Sequence, residues 1–396
     1  MQIKTILTFL RLEASSGSIL LLTAIATLVF CNSPWAYLYQ NIFENTYSFS
    51  VWKFTITKPP LFWINDCLMS LFFLIVGLEL KREIVRGELS KVSQVILPGM
   101  AALGGMLIPA LIYISFNFYD PYLLKGWSIP IATDIAFALG ALSLFRSVPI
   151  GLKLFLMALA VMDDIGAIIV IAVFYTNHVS LLLILISTIM FLLLLILNYL
   201  GVRSLLAYLF LGFLLWICIL KSGIHPTLAG VLLAFTIPSD QLANETQPPL
   251  KRLEDGLHPW VAFIIMPLFA FANTGISFAG ISFSSFTSPL VLGVIIGMFV
   301  GKQLGVFSFS WLTIKMKWSR LPKGVSWREM YGVGIICGIG FTMSLFLGTL
   351  AFDGNNLLLK ELRLSVLLAS VLSSVIGAFV LYRAFKRKAL HKRVSN

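Results

Sequence analysis

Apolar residues run through almost the whole chain in long stretches, separated by short polar ones. Twelve can be marked, at roughly 14–34, 61–80, 95–116, 124–144, 151–175, 179–199, 204–220, 224–238, 259–280, 289–311, 329–351 and 361–382. Most have the ~20 residues an α-helix needs to cross about 30 Å of hydrocarbon; the one at 224–238 is short. Polar and apolar positions do not alternate within them, as barrel strands would, and Leu181 to Leu197 is apolar almost throughout. The pattern predicts an all-α membrane protein, one polytopic domain over 1–396.

Two connections differ from the rest. Residues 40–60 contain the β-branched and aromatic run Tyr-Ser-Phe-Ser-Val-Trp-Lys-Phe-Thr-Ile-Thr at 47–57, then Pro59-Pro60. Its partial alternation predicts a small β-hairpin between spans 1 and 2. Residues 239–258 read as a charged loop, and 383–396 as a basic tail. Lys4 and Arg11 precede the apolar run from Ile19 to Phe30, in the manner of a signal peptide. Cys31-Asn-Ser-Pro is a poor cleavage site, however, so this run is expected to be the first retained span.

Basic residues orient the spans. Of the 29 Lys and Arg, six (Lys53, Lys58, Lys125, Lys221, Lys360, Arg363) fall on one side of a twelve-span arrangement, Lys302 falls within a span, and the remaining 22 fall on the other side. Positive residues stay inside, which places both termini in the cytoplasm and the hairpin in the periplasm.

Composition adds that only 12% of residues are charged, against 59% hydrophobic and a mean hydropathy of +0.94. Soluble domains carry about 25% charge, so this chain could not cover a water-facing surface. The net charge of +12 lies in loops and tail, where membrane orientation explains it better than nucleic-acid binding. The four cysteines, Cys31, Cys67, Cys218 and Cys337, lack metal-ligand spacing and read as small core residues.

Asp134, Asp163, Asp164 and Lys302 all fall inside apolar spans. A charge at mid-membrane costs about 2.5–3.5 kcal/mol on insertion scales, and such residues mark ion or proton pathways. One acid with one base could be a structural ion pair, but here three acids face a single base. Neighbouring helical residues point about 100° apart, so Asp163 and Asp164 cannot form a facing dyad, though both can edge one cavity. Such carboxylates can hold either a proton or a hard cation. Pro130 removes a backbone donor in span 4, Thr133 adds a hydroxyl ligand, and span 11 carries glycines at 332, 334, 338 and 340. Both spans could break midway, leaving dipole ends for Asp134 and Lys302 to neutralise. In span 10, Gly293, Gly297, Gly301 and Gly305 recur every four residues, a smooth face for close packing that lets Lys302 approach the core.

Seven segments together resemble the NhaA-type sodium/proton antiporters of bacterial inner membranes: Phe-Phe-Leu-Ile-Val-Gly-Leu-Glu-Leu-Lys-Arg-Glu (72–83), Ala-Thr-Asp-Ile-Ala-Phe-Ala-Leu-Gly (132–140), Asp-Asp-Ile-Gly-Ala-Ile (163–168), Gly-Ile-His-Pro-Thr-Leu-Ala-Gly (223–230), Leu-His-Pro-Trp-Val (257–261), Pro-Leu-Phe-Ala-Phe-Ala-Asn (267–273) and Cys-Gly-Ile-Gly-Phe-Thr-Met-Ser (337–344). The match extends over nearly the whole chain. It implies inverted-topology repeats with two broken, crossing helices in spans 4 and 11. It implies Asp163 and Asp164 as carriers of sodium or lithium and protons, with Thr133, Asp134 and Lys302 beside them and no resident cofactor. It places Glu79, Arg82, Glu83, Glu254 and His258 at a pH-sensing cytoplasmic mouth, where Asp255 joins them by charge and sidedness, and implies a homodimer joined partly through the 40–60 hairpin. Asp255 stands where the family usually has histidine, and Pro226 is atypical; both bear on the pH profile. A sodium-coupled symporter would share the carboxylates but need a pocket for a solute. An intramembrane aspartyl protease would need acids on two helices with a Gly-x-Gly-Asp motif, absent here, and a channel would exchange no protons. His225 as a metal ligand lacks companions among four scattered histidines.

The charge asymmetry can be tested directly. A cytoplasm-active reporter fused after Asn396 is expected to be active and one fused at Asn355 inactive; the opposite pattern would overturn the span count.

Overall fold

The computed structural model describes residues 3–51, 54–87, 92–145, 148–176, 180–242, 245–278 and 283–394. Lys53, Lys91, Arg146, Ser395 and Asn396, which entered the charge and tail expectations, lie outside the described residues. In chain order the helices are α1 (Ile3–Cys31), α2 (Ala36–Glu44), α3 (Pro60–Val85), α4 (Val92–Asn117), α5 (Pro121–Ile131), α6 (Ile135–Ser143), α7 (Ile150–Phe174) and α8 (Leu181–Tyr199). They continue as α9 (Leu205–Ser222), α10 (Thr227–Thr236), α11 (Pro249–Thr274), α12 (Pro289–Lys315), α13 (Trp327–Ile336), α14 (Phe341–Ala351) and α15 (Asn356–Val394). Between α2 and α3, strands β1 (Tyr47–Val51) and β2 (Phe54–Lys58) pair antiparallel, with Tyr47 opposite Lys58 and Val51 opposite Phe54.

Eight of the described helices are long and apolar enough to cross a membrane, or up to eleven if each bent pair of helices counts as one span; α10 is a shorter apolar helix. Only 6% of α8 is buried although it is the most apolar of them. Leu181 and Leu206 are 82% and 78% exposed. Surfaces of this kind are stable only in hydrocarbon, and helices satisfy their own backbone there. The chain is an integral, multi-pass membrane protein.

Two of the bent pairs are α5 with α6, at 40°, and α13 with α14, at 43°. Sequence chemistry explains both interruptions. Pro130 lies in the 3-10 stretch that ends α5, and Ala132 then turns extended. Asp134, also extended, caps α6 by accepting from the Phe137 amide at 3.2 Å. In the second pair, Cys337 to Gly340 separates the helices. A side chain at Gly340 would press on the Ala132 carbonyl oxygen, with a Cβ only 2.9 Å from it.

The chain divides into two compact units. The first comprises 1–25, 91–167 and 276–396, and the second 26–90 and 168–275. The first holds both bent pairs and a buried core that includes Leu139, Leu156, Val306, Val333 and Ile336. Its closest helix contact is α4 against α12, where a Cβ on Gly305 would fall inside contact distance of the Gly104 carbonyl oxygen and one on Gly301 would lie 2.8 Å from Pro109. The glycine spacing is thus a packing face. It is followed by chemistry: a π-helical turn, Gly297–Gly301, delivers the chain to Lys302. The second unit packs α3 and α10 together through small residues; a Cβ on Gly77 would lie 2.7 Å from that of Ala234.

Three expectations change. The segment 239–258 is a loop only as far as Pro248. Pro249 starts α11, and Lys251 pairs with Glu254 and Asp255 at i+3 and i+4 to support its first turns. The residues 383–394 do not form a separate tail but continue α15. Cys31 and Cys337 are buried, but Cys67 and Cys218 are partly exposed, because apolar faces turned to lipid need no core position.

The glycine contact predicts an asymmetry. Gly305→Ala should lower stability by ~1–3 kcal/mol, because the backbone at Gly104 cannot retreat without repacking. Gly256→Ala, with no atom within 4 Å of the added carbon, should be neutral or stabilising by helix propensity. Thermal unfolding in one detergent compares them; equal midpoints would refute the packing role.

Candidate ion-binding site

The two interruptions of the first unit meet, and each satisfies the other's backbone. The Asp134 amide donates to the Ile339 carbonyl at 2.7 Å. The Ser344 hydroxyl donates to the Ile129 carbonyl at 2.7 Å. The Asp134 carboxylate accepts from the Thr342 amide at 3.1 Å and from the Thr342 hydroxyl. Since it also caps α6, one carboxylate serves the N-terminal ends of both α6 and α14, where the helix dipoles favour negative charge. It is 1% exposed.

Beside Asp134 on the chain, Thr133 faces different partners. Its hydroxyl oxygen lies 2.7 Å from Asp163 Oδ2 and 3.0 Å from the Cys337 carbonyl oxygen, and it accepts from Lys302 Nζ at 2.9 Å. A hydroxyl has one proton, so at any moment Thr133 donates either to the carboxylate or to the carbonyl that ends α13. Lys302 also donates to Asp163 Oδ2 at 2.5 Å. Thr133, Asp163 and Lys302 are 0% exposed, and Asp164 is 3% exposed. Asp163 Oδ1 accepts no hydrogen bond from the described residues, although a buried carboxylate oxygen normally does. A proton or a small cation would satisfy it.

The five residues expected at this site therefore lie together in the first unit, on α7, α12 and the α5–α6 interruption. Sequence reasoning missed Thr342 and the Cys337 and Ile339 carbonyls. The motif 337–344 contained them all, but backbone oxygens carry no sequence signal.

The six residues expected to sense pH lie in the second unit. Arg82 reaches Glu83 at 3.2 Å and Glu254 at 3.2 Å, and Lys251 reaches Glu254 at 3.0 Å and Asp255 at 2.8 Å. Glu83, Glu254 and His258 are 5%, 2% and 9% exposed, while Asp255 is exposed. Glu79 lies one turn before Glu83 on α3, and His258 one turn after Glu254 on α11. Lys251 belongs to the set and was not anticipated. Nor was Lys81, which donates to the Phe235 and Ile237 carbonyls at 2.7 and 2.6 Å and so caps the C-terminal end of α10. Elsewhere in this unit, His225 lies 3.6 Å from Asp66 and 2.8 Å from the Thr227 hydroxyl.

Comparison with known proteins agrees with this chemistry. Residues 7–381 match the family described as Na+/H+ antiporter 1. The chain is 50% identical over 391 residues to Na(+)/H(+) antiporter NhaA 1 of Syntrophotalea carbinolica, covering 98% of this chain and 99% of that one. It is 51% identical to the NhaA antiporter of Rhodospirillum rubrum, covering 96% and 98%, and 47% identical to that of Yersinia pseudotuberculosis, covering 97% and 98%. With a match this long, and with the buried carboxylates, hydroxyl and lysine gathered in one place, the chain belongs to the Na+/H+ antiporter 1 family.

Proposed function

We propose that this protein exchanges cytoplasmic sodium or lithium for external protons across a bacterial inner membrane, through twelve spans of which α5–α6 and α13–α14 are two broken, crossing ones. Each broken span is the middle member of a helix trio, α4 to α7 and α12 to α15, consistent with inverted repeats. The observation that carries the reading is the buried Lys302–Asp163 pair, bridged by Thr133 at the meeting of the two interruptions and next in sequence to Asp164.

Charge accounting gives the mechanism. With Lys302 protonated and paired to Asp163, and with Asp164 protonated, the site is neutral and holds no need for a metal ion. When Lys302 and Asp164 both lose protons to an alkaline cytoplasm, two carboxylates face a neutral amine, and one sodium ion binds Asp164 with help from Asp163 and Thr133. Two protons leave as one sodium enters. Movement of the broken-helix element then exposes the site to the periplasm, where protons displace sodium. Each cycle moves one net charge, so the membrane potential contributes about 2.3 kcal/mol per 100 mV, which drives sodium out against its gradient. If Asp163 rather than Lys302 releases the second proton, the stoichiometry is unchanged.

We also infer that Glu79, Arg82, Glu83, Lys251, Glu254, Asp255 and His258 set the pH at which exchange starts. Arg82 is shared by Glu83 and Glu254, and Lys251 by Glu254 and Asp255, which couples their charges.

Three measurements test these readings. In proteoliposomes, Asp164→Asn is expected to abolish exchange and sodium binding while leaving the folded protein intact. Asp163→Asn should cripple transport, and Lys302→Arg should be milder than Lys302→Ala. An imposed potential without a pH gradient should drive sodium flux; electroneutral exchange there would refute the two-proton account and leave the site assignment standing. Unimpaired exchange by Asp164→Asn would sink the site itself. For the pH set, Glu254→Gln removes the carboxylate shared by Arg82 and Lys251. The activating pH should move, with maximal rate retained. A fixed profile would reduce the cluster to a structural rim.

A further inference from the structure

Helices α12, α13 and α15 of the first unit enclose a groove of about 720 Å³, and its lining pairs two kinds of residue. One side of its chemistry is aromatic. Phe307 meets Trp327 at 5.7 Å and Tyr331 at 5.5 Å, both edge to face, and the Tyr331 hydroxyl is anchored on Gln303 at 2.9 Å. The other is basic: Arg328, Arg383, Lys386 and Arg387 all contribute to the lining and are exposed, and no acidic residue does. The acid beside them in sequence, Glu329, is fully buried and already engaged. It accepts from the Ser326 amide at 2.6 Å, completing the capping box that starts α13, and from Lys388 at 2.9 Å. Arg328, Arg383, Lys386 and Arg387 form no ion pair among the described residues. Arg383 lies over the Phe379 ring at 4.6 Å, which leaves its guanidinium edge available for hydrogen bonds.

The groove also sits at a chemical boundary. Along α15, Val375 and Phe379 are 64% and 54% exposed, an outward apolar face. Four residues later the helix turns basic, at Arg383, Lys386 and Arg387. This is the end of the membrane-crossing stretch Asn356–Lys388. A ligand that uses the whole groove must carry an anionic head at the arginines and an apolar body along the aromatic wall.

We infer that the groove binds one molecule of an anionic phospholipid, its phosphate held by Arg328, Arg383 and Arg387 and an acyl chain laid against Phe307 and Phe379. Arginine is suited to this, since its planar fork matches phosphate oxygens. A zwitterionic lipid would bring a cation to an already cationic site, and a free phosphate would leave the aromatic wall unused. The inference does not depend on the transport reading. It does have a consequence for it: Trp327, Arg328 and Tyr331 form the start of α13, and the chain leaves the far end of that helix at Cys337, whose carbonyl meets Thr133.

Trp327 supplies the reporter. The full chain is reconstituted in bilayers containing acyl-brominated phosphatidylglycerol or acyl-brominated phosphatidylcholine, and the quenching lost in Trp327→Phe isolates its contribution. Phosphatidylglycerol is expected to be preferred at Trp327 by about tenfold or more, less so as salt rises. Each basic residue near the membrane surface contributes about fivefold. Arg387→Gln alone should therefore reduce the preference about that much, and the combined Arg328→Gln, Arg383→Gln, Arg387→Gln protein should bring it close to one. Lys315→Gln with Lys317→Gln, basic positions outside the groove, should leave it unchanged. The inference is overturned if the native chain shows no headgroup preference at Trp327. It is equally overturned if the glutamine variants keep the preference, or if glycerol phosphate at constant ionic strength removes it, which would make the groove a site for a soluble anion.

Discussion

A helix interrupted inside hydrocarbon exposes amides and carbonyls that no water can reach, and each one left unsatisfied costs several kcal/mol. Everything else in the first unit follows from how this is met. The two interruptions lie against each other, and their orphan groups pair across the gap: Asp134 amide with Ile339 carbonyl, Thr133 hydroxyl with Cys337 carbonyl, Ser344 hydroxyl with Ile129 carbonyl. The remaining positive ends converge on the Asp134 carboxylate. Neither interruption can shift alone without stripping the other of partners. The paired groups therefore hold the two interruptions together as one packed element.

Stability alone does not account for the ionic residues placed there. A fully buried ion pair gains little over hydrophobic packing, because desolvation offsets most of its attraction, whereas breaking it leaves a costly lone charge. Lys302 and Asp163 are held in that balance, with Thr133 bridging them and Asp163 Oδ1 left over. A carboxylate that depends on one lysine can trade it for another cation at modest net cost. The π-helical turn before Lys302 and the glycine face before that are the packing means by which α12 comes close enough to present the amine.

The second unit applies charge pairing where water has some access. Arg82 is 18% and Lys251 30% exposed at the side chain, yet the Glu254 between them is nearly buried. Glu254 is shared by the two cations, so a change at any one of these residues alters the partners of the others. Lys81 ties α3 to the end of α10, and Arg203 holds the loop after α10 through Glu245 at 2.7 Å and Asp240 at 3.1 Å.

By itself the sequence determined that the chain is helical and lies in a membrane, since hydropathy is a local property that lipid reads directly. It singled out Asp134, Asp163, Asp164 and Lys302 by the cost of their burial, and offered breaks near Pro130 and among the glycines at 332, 334, 338 and 340. The role of Lys302 beside the carboxylates came from family resemblance, not from spacing: 139 residues separate it from Asp163, and no periodicity spans that distance. Only the tertiary structure decided that Asp134 serves two helix ends while Thr133, its neighbour, turns to the ion pair. It alone brought in Thr342, Lys251 and the Cys337 carbonyl, and showed that the basic end of α15 borders an aromatic groove. These are matters of which helix faces meet, and a face acquires its partner only when the backbone groups of two distant interruptions find each other.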